Sequence, residues 1–117
     1  MPETLESAAL SKMSERGQIK NVQIDGPLAL DNAVSLLSAQ HKGISGAVAG
    51  QADILVAPDI KVGNVLHKSL VYFAEKEVAS VVMGATVPII MTSRADSPQT
   101  KFLSVAVCTY LAFQSKN

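Results

Sequence analysis

Ser93 and Arg94 lie in the stretch TSRADSPQTK, between an apolar run that ends at Met91 and a helix expected to begin near Ser97. Arg94 is one of only two arginines in the 117 residues. A guanidinium at the end of a strand can grip a phosphate through two parallel hydrogen bonds, which the point charge of lysine cannot do. A neighbouring serine hydroxyl can donate to an oxyanion as it develops. The plainer alternative is a loop serine beside a surface arginine paired with Asp96. Asp25 and Asp59 each follow an apolar run directly. Either could act as a base or ligand contact, and either suits a turn equally well. Asn64 reads as a helix N-cap and a candidate ligand donor. Lys68, one turn further along, could reach an anion or stand in solvent.

Other chemistries lack their residues. His41 and His67 have no cysteine or second histidine at metal-ligand spacing, so no metal site is expected. Cys108 is the only cysteine and sits in the apolar stretch SVAVCTYLAF. It reads as a buried, reduced thiol with nothing nearby to activate it. Neither the dinucleotide glycine fingerprint nor the phosphate-loop motif occurs. Ten acidic and ten basic side chains cancel, so no charge field favours nucleic acid or an anionic membrane. No apolar run approaches the about 20 residues that span a bilayer. The opening MPETLESAAL carries two glutamates and no basic residue, unlike a secretory leader, and a cytoplasmic location is expected.

Helices alternating with short apolar runs must position these residues. A first helix is expected over 2–16, with Leu5, Ala9 and Met13 on its apolar face and Gly17 as its stop. A strand over 21–25 breaks at Gly26-Pro27, and a helix over 28–41 ends before Gly43. The small-residue stretch 44–52 is a loop, and a strand over 53–57 ends at Pro58. The next helix, 63–76, aligns Leu66, Leu70, Phe73 and Ala74. Strands over 78–84 and 87–91 follow. Their short connection, around Gly84-Ala85-Thr86, suits an antiparallel pair or an edge. In the last helix Ser97 is the expected N-cap and Pro98 the first residue. Its apolar stripe should be Leu103, Ala106, Val107, Tyr110 and Leu111.

Apolar runs without alternation suit strands covered on both faces, and their alternation with helices predicts an α/β fold with a mainly parallel sheet. Few aromatics and 48% apolar residues predict a core of Ala, Val, Leu and Ile. Three junctions, DGPLALDN, PDIKVGN and TSRADS, lead from strand to helix. Ligands bind at the carboxyl ends of parallel strands, and helix N-termini attract anions, so the three should form one anion-compatible rim.

At these residues the sequence resembles the phosphate acetyl/butyryltransferase family, the butyryl branch more than the acetyl. VQIDGPLALDNAVS, ADILVAPDIKVGNVLHKSLVYFA and GATVPIIMTSRADSPQTKFLSVA carry the resemblance. It covers nearly the whole chain but only about the last two-fifths of a family member. It implies transfer of an acyl group from acyl-CoA to inorganic phosphate, giving acyl phosphate and free CoA. Coenzyme A would be a substrate, with no cofactor and no metal. The resemblance assigns Arg94 to the phosphate and Ser93 to the carbonyl oxygen. Asp59, Asn64, Lys68 and Asp25 would be substrate or structural contacts. Thr100 replaces the aspartate that acetyltransferases carry as a proposed base. The implied fold is that of isocitrate and isopropylmalate dehydrogenases, with two α/β domains and a cleft between them. Residues 1–78 would then belong to the second domain, and 79–117 would return to the first. The expectation is a fragment inactive by itself that forms a homo-oligomer. The competing expectation is a non-catalytic α/β module that binds CoA or an anion.

Overall fold

In a computed structural model, residues 1–114 are described. The chain forms two compact units, Met1–Asp59 and Ile60–Asn117. The class is α/β: five helices and a small two-stranded sheet among the described residues.

In the first unit, α1 spans Pro2–Glu15. It ends as expected at Gly17, whose φ of 71° suits glycine. Gly17 N–H donates to Ser14 O at 2.9 Å and Gln18 N–H to Met13 O at 2.9 Å, the double closure of a Schellman cap. The face it presents inward is not the predicted one. Leu5 is 76% exposed, while Thr4, Ser7, Ser11 and Ser14 are half-buried. Ser14 Oγ donates to Val22 O at 3.0 Å and accepts from Ile24 N–H at 3.2 Å. One serine hydroxyl thus satisfies an acceptor and a donor that a neighbouring strand would otherwise engage.

Residues 21–25 and 53–57 belong to no ladder, against expectation. An apolar run becomes a strand only beside a partner backbone, and neither segment has one within this unit. Ile54 and Val56 are 75% and 83% exposed.

The expected helix over 28–41 divides into α2, Leu30–Val34, and α3, Leu36–His41. Backbone competition explains the break. Asn32 O accepts from Gly50 N–H at 2.7 Å and Ala33 O from Ala52 N–H at 3.0 Å. In a continuous helix those carbonyls would serve Leu36 and Leu37. Ser35 turns out of the helix at φ −127°, ψ 111°, and its Oγ caps α3 by accepting from Ser38 N–H at 3.3 Å. The intruding loop fits only because of Gly50, with φ +80°; a Cβ there would lie 2.4 Å from Leu36 Cα. Ala33, Ala39 and Ala49 form the buried apolar centre, joined by buried Asn32. Outside the break, Asp31 Oδ2 accepts from Ser38 Oγ at 2.5 Å and from Lys42 Nζ at 2.7 Å. The Lys42 bond, then the Ser38 bond, lowers the Asp31 carboxyl from 3.8 to about 2.

In the second unit, α4 spans Ile60–Tyr72. It starts earlier than expected, at Ile60, and also stops earlier, because the backbone turns at Phe73 and Glu75 takes φ 51°. Of its predicted face Leu66 is half-buried, whereas Leu70 and Ala74 are exposed and Phe73 is 88% exposed. β1, Val81–Val82, and β2, Ile89–Ile90, pair antiparallel with Val81 opposite Ile90. The short connection forces that sense, and the ladder is shorter than either apolar run. α5 spans Pro98–Gln114 and packs on both strands. Its buried residues are Ser104 and Cys108. Ser104 Oγ accepts from Ser80 N–H at 2.9 Å and donates to Thr100 O at 2.8 Å. Cys108 Sγ donates to Pro88 O at 3.4 Å. The thiol is buried and reduced, as expected. Small side chains let the helix approach the strands closely. Leu103 and Leu111 of the predicted stripe are half-buried, but Ala106, Val107 and Tyr110 face outward. Of the expected core of Ala, Val, Leu and Ile, only alanine is buried among the described residues, joined by Asn32, Ser104 and Cys108.

Candidate active site

β2 ends at Ile90, and Ser93 follows three residues later, opening a turn that closes at Asp96. Three hydrogen bonds hold the turn. Ser93 N–H donates to Asp96 Oδ2 at 2.6 Å. Asp96 N–H donates to Ser93 O at 3.2 Å. Ala95 N–H donates to Ser93 Oγ at 3.3 Å. Ser93 Oγ uses a lone pair for the last of these, so its own proton remains available to donate. Arg94 occupies the tip of the turn and is exposed. Among the described residues it makes no ion pair. The alternative reading, an Arg94–Asp96 ion pair, does not form among the described residues; the carboxylate accepts from the Ser93 amide instead.

The N-terminus of α5 is less open to anions than the sequence suggests. Ser97 caps it as expected, its Oγ accepting from Thr100 N–H at 3.1 Å and donating to Thr100 Oγ1 at 3.2 Å. Pro98 has no N–H to offer. Two of the first-turn donors are thereby removed. Thr100, where acetyltransferases would carry aspartate, is committed to this cap. The last turn of α4 and the start of α5 line an open depression of about 320 Å³ that includes Tyr72, Asp96 and Ser97.

The other candidates sit elsewhere on their elements. Asn64 lies inside α4 and is not its N-cap, because the helix already begins at Ile60. Asp59 directly precedes that helix, at the end of the first unit. Lys68 lies one turn beyond Asn64, with Nζ 5.6 Å from the centroid of the Tyr72 ring. That is cation–π distance, so the ammonium is engaged along its own helix. Asp25 is exposed in the first unit, and its Oδ1 accepts from Gly26 N–H at 2.8 Å. A Cβ on Gly46 would lie 3.2 Å from Asp25 Oδ2. The second unit therefore brings Ser93, Arg94 and Asp96 together, with Asn64 and Lys68 on α4. Asp25 and Asp59 belong to the first. The function of Asp96 within the turn was missed. A readable signal existed, since Ser followed three residues later by an acidic side chain is the spacing of reciprocal capping.

Comparison with known proteins places the chain in a family. The family model described as phosphate acetyl/butaryl transferase matches residues 1–109, and the chain belongs to that family. It is 54% identical over 112 residues to a phosphate acetyltransferase of Thermotoga maritima, covering 96% of this chain and 38% of that protein. It is 57% identical over 107 residues to a probable phosphate butyryltransferase of Bacillus subtilis, covering 92% and 36%. The crystal structure of a branched-chain phosphotransacylase from Enterococcus faecalis matches with a TM-score of 0.80 and 38% identity, over 93% of this chain and 39% of that one. The chain thus spans little more than a third of the length of these relatives. Among the described residues no helix is long and apolar enough to cross a membrane.

Proposed function

We infer that this chain carries the phosphate-handling turn of an acyl-CoA:phosphate acyltransferase acting on short or branched acyl groups. The observation behind this is an exposed arginine, without an ion-pair partner among the described residues, beside a serine with a donatable proton. Family membership makes that pairing meaningful. In the proposed reaction a phosphate oxygen attacks the thioester carbonyl carbon. The new C–O bond forms as the C–S bond breaks, and sulfur leaves with the electron pair and takes a proton. Arg94 would hold the phosphate, and Ser93 would donate to the carbonyl oxygen. Asn64, Lys68, Asp59 and Asp25 are carried as supporting contacts. Coenzyme A enters as substrate and product, and the displacement calls on no metal or other cofactor.

The exposed apolar segments 21–25 and 53–57 support reading this chain as part of a larger, mainly parallel sheet of the isocitrate dehydrogenase type. In that reading 79–117 returns to another lobe, the working enzyme is an oligomer in the cytoplasm, and the 117 residues alone turn nothing over. The test is a chimera in which this sequence replaces the matching segment of the Thermotoga acetyltransferase. Thiol release from acetyl-CoA or butyryl-CoA with phosphate should be restored, and Arg94→Ala should lower kcat/KM by about 10²–10³-fold. A folded chimera that releases no thiol would refute the reading. A chimera that binds CoA without turnover would favour the non-catalytic module.

A further inference from the structure

We propose that Asp96 is a positioning residue, whose carboxylate holds the Ser93 amide and thereby aims the Ser93 hydroxyl and the Arg94 guanidinium at one acyl phosphate. The inference rests on the acyltransferase reading above. Asp96 and Ser93 are joined twice, side chain to backbone at 2.6 Å and backbone to backbone at 3.2 Å, and these bonds bracket Arg94. The third bond, Ala95 N–H to Ser93 Oγ, sets the serine side chain. A carboxylate is the strongest acceptor available for a backbone amide. It is half-buried beside the depression, whereas Ser93 and Arg94 are exposed. The arrangement also has an electrostatic consequence. A carboxylate two residues from an arginine ordinarily competes with any anion for it. Here one carboxylate oxygen is occupied by the backbone, and Arg94 is left to the substrate.

This role predicts a sign opposite to that of simple charge repulsion. If Asp96 acted only as a nearby negative charge, removing it would tighten phosphate binding. If it positions Arg94, Asp96→Ala must weaken binding even though a repelling charge has gone. Asp96→Asn keeps an acceptor oxygen at the same reach, so it must restore binding.

The test uses the ¹⁵N-labelled 117-residue chain. The Ser93 amide resonance is followed from pH 7 to acid, and inorganic phosphate is titrated against the Arg94 Nε–H resonance. Expected results are a Ser93 amide that moves with carboxylate protonation in the parent but not in Asp96→Asn, and a phosphate Kd about tenfold weaker in Asp96→Ala. Asp96→Asn should bind at least as tightly as the parent. Should Asp96→Ala not fold, Asp96→Glu takes its place, because its longer arm keeps the charge but misplaces the acceptor. A pH-insensitive Ser93 amide would overturn the bond. Unchanged or tighter binding in Asp96→Ala, or equal weakening in Asp96→Asn, would overturn the positioning role. Absence of phosphate binding in the parent, with the Ser93 amide still pH-sensitive, would overturn the positioning role, while the acyltransferase reading stands or falls with the chimera.

Discussion

The two units solve the same packing problem with different atoms. In each, a long helix turns small side chains inward: serines of α1 in the first, Ser104 and Cys108 of α5 in the second. In each, large apolar side chains such as Leu5 and Phe102 are left exposed. The fixing differs. The first unit is locked by backbone-to-backbone bonds from a loop that reaches α2 through a glycine. The second is locked by side chains of a helix reaching strand backbone. Backbone locking tolerates almost no added volume, whereas side-chain locking fails by losing a partner.

The largest effect should therefore come from Gly50→Ala. The new Cβ would meet Leu36 Cα at 2.4 Å, Leu36 N at 2.7 Å and Ser35 C at 3.0 Å, all of them backbone, with no side chain to swing away. The residue would also keep a left-handed φ that L side chains resist. Overpacking and strain together should cost about 3 kcal/mol in urea unfolding. Hydrogen exchange at Gly50 and Ala52 should accelerate with it. Gly17→Ala is the control: its φ is also positive, but nothing lies within 4 Å of its would-be Cβ. That variant should lose only about 1 kcal/mol. Equal costs at the two glycines would show that close approach does not lock the first unit.

Ser104→Ala comes next. It removes the acceptor for Ser80 N–H while leaving the helix its own propensity, or slightly improving it. An amide left without its partner should cost about 1–3 kcal/mol. The local signature is faster exchange of the Ser80 amide. A variant with parental stability and unchanged Ser80 exchange would mean that the helix is held by contact alone.

The same contrast explains what could be read in the chain. The stop at Gly17, the cap at Ser97, the antiparallel sense of the strand pair and the burial of Cys108 were legible because each depends on neighbours within a few residues or on a bare constraint of length. The break at Ser35 was not legible. It depends on Gly50 and Ala52, and their stretch read only as a small-residue loop. The inward faces of α1 and α5 were missed because periodicity counts apolar residues, and here serine faces inward. The expected strands over 21–25 and 53–57 form no ladder in this chain because apolar content describes what a segment could pair with, not whether a partner is present. At the site, the placing of Ser93 and Arg94 on one exposed turn after β2 was legible from adjacency alone. The service of Asp96 to the Ser93 amide was hidden behind the more obvious ion pair.

The smallest predicted effect concerns the charge that fastens α2 to the end of α3. Asp31 is held at about 2, first by its hydrogen bond from Lys42 and then by that from Ser38. Its folded value lies below the ordinary 3.8. The stabilisation is thus complete above the unfolded value and fades as pH falls through about 2. Lys42→Ala removes the larger cause but leaves Ser38 Oγ in place, so the Asp31 carboxyl should rise part of the way towards 3.8. Both side chains are about half exposed, and an ion pair in water contributes little. The change in melting temperature at neutral pH should accordingly be small, and it should vanish in strong acid. Carbon-detected titration of the Asp31 carboxyl is the sharper readout. An identical midpoint in parent and variant would show that the lysine does not fasten this corner, and that the first unit rests on its backbone lock alone.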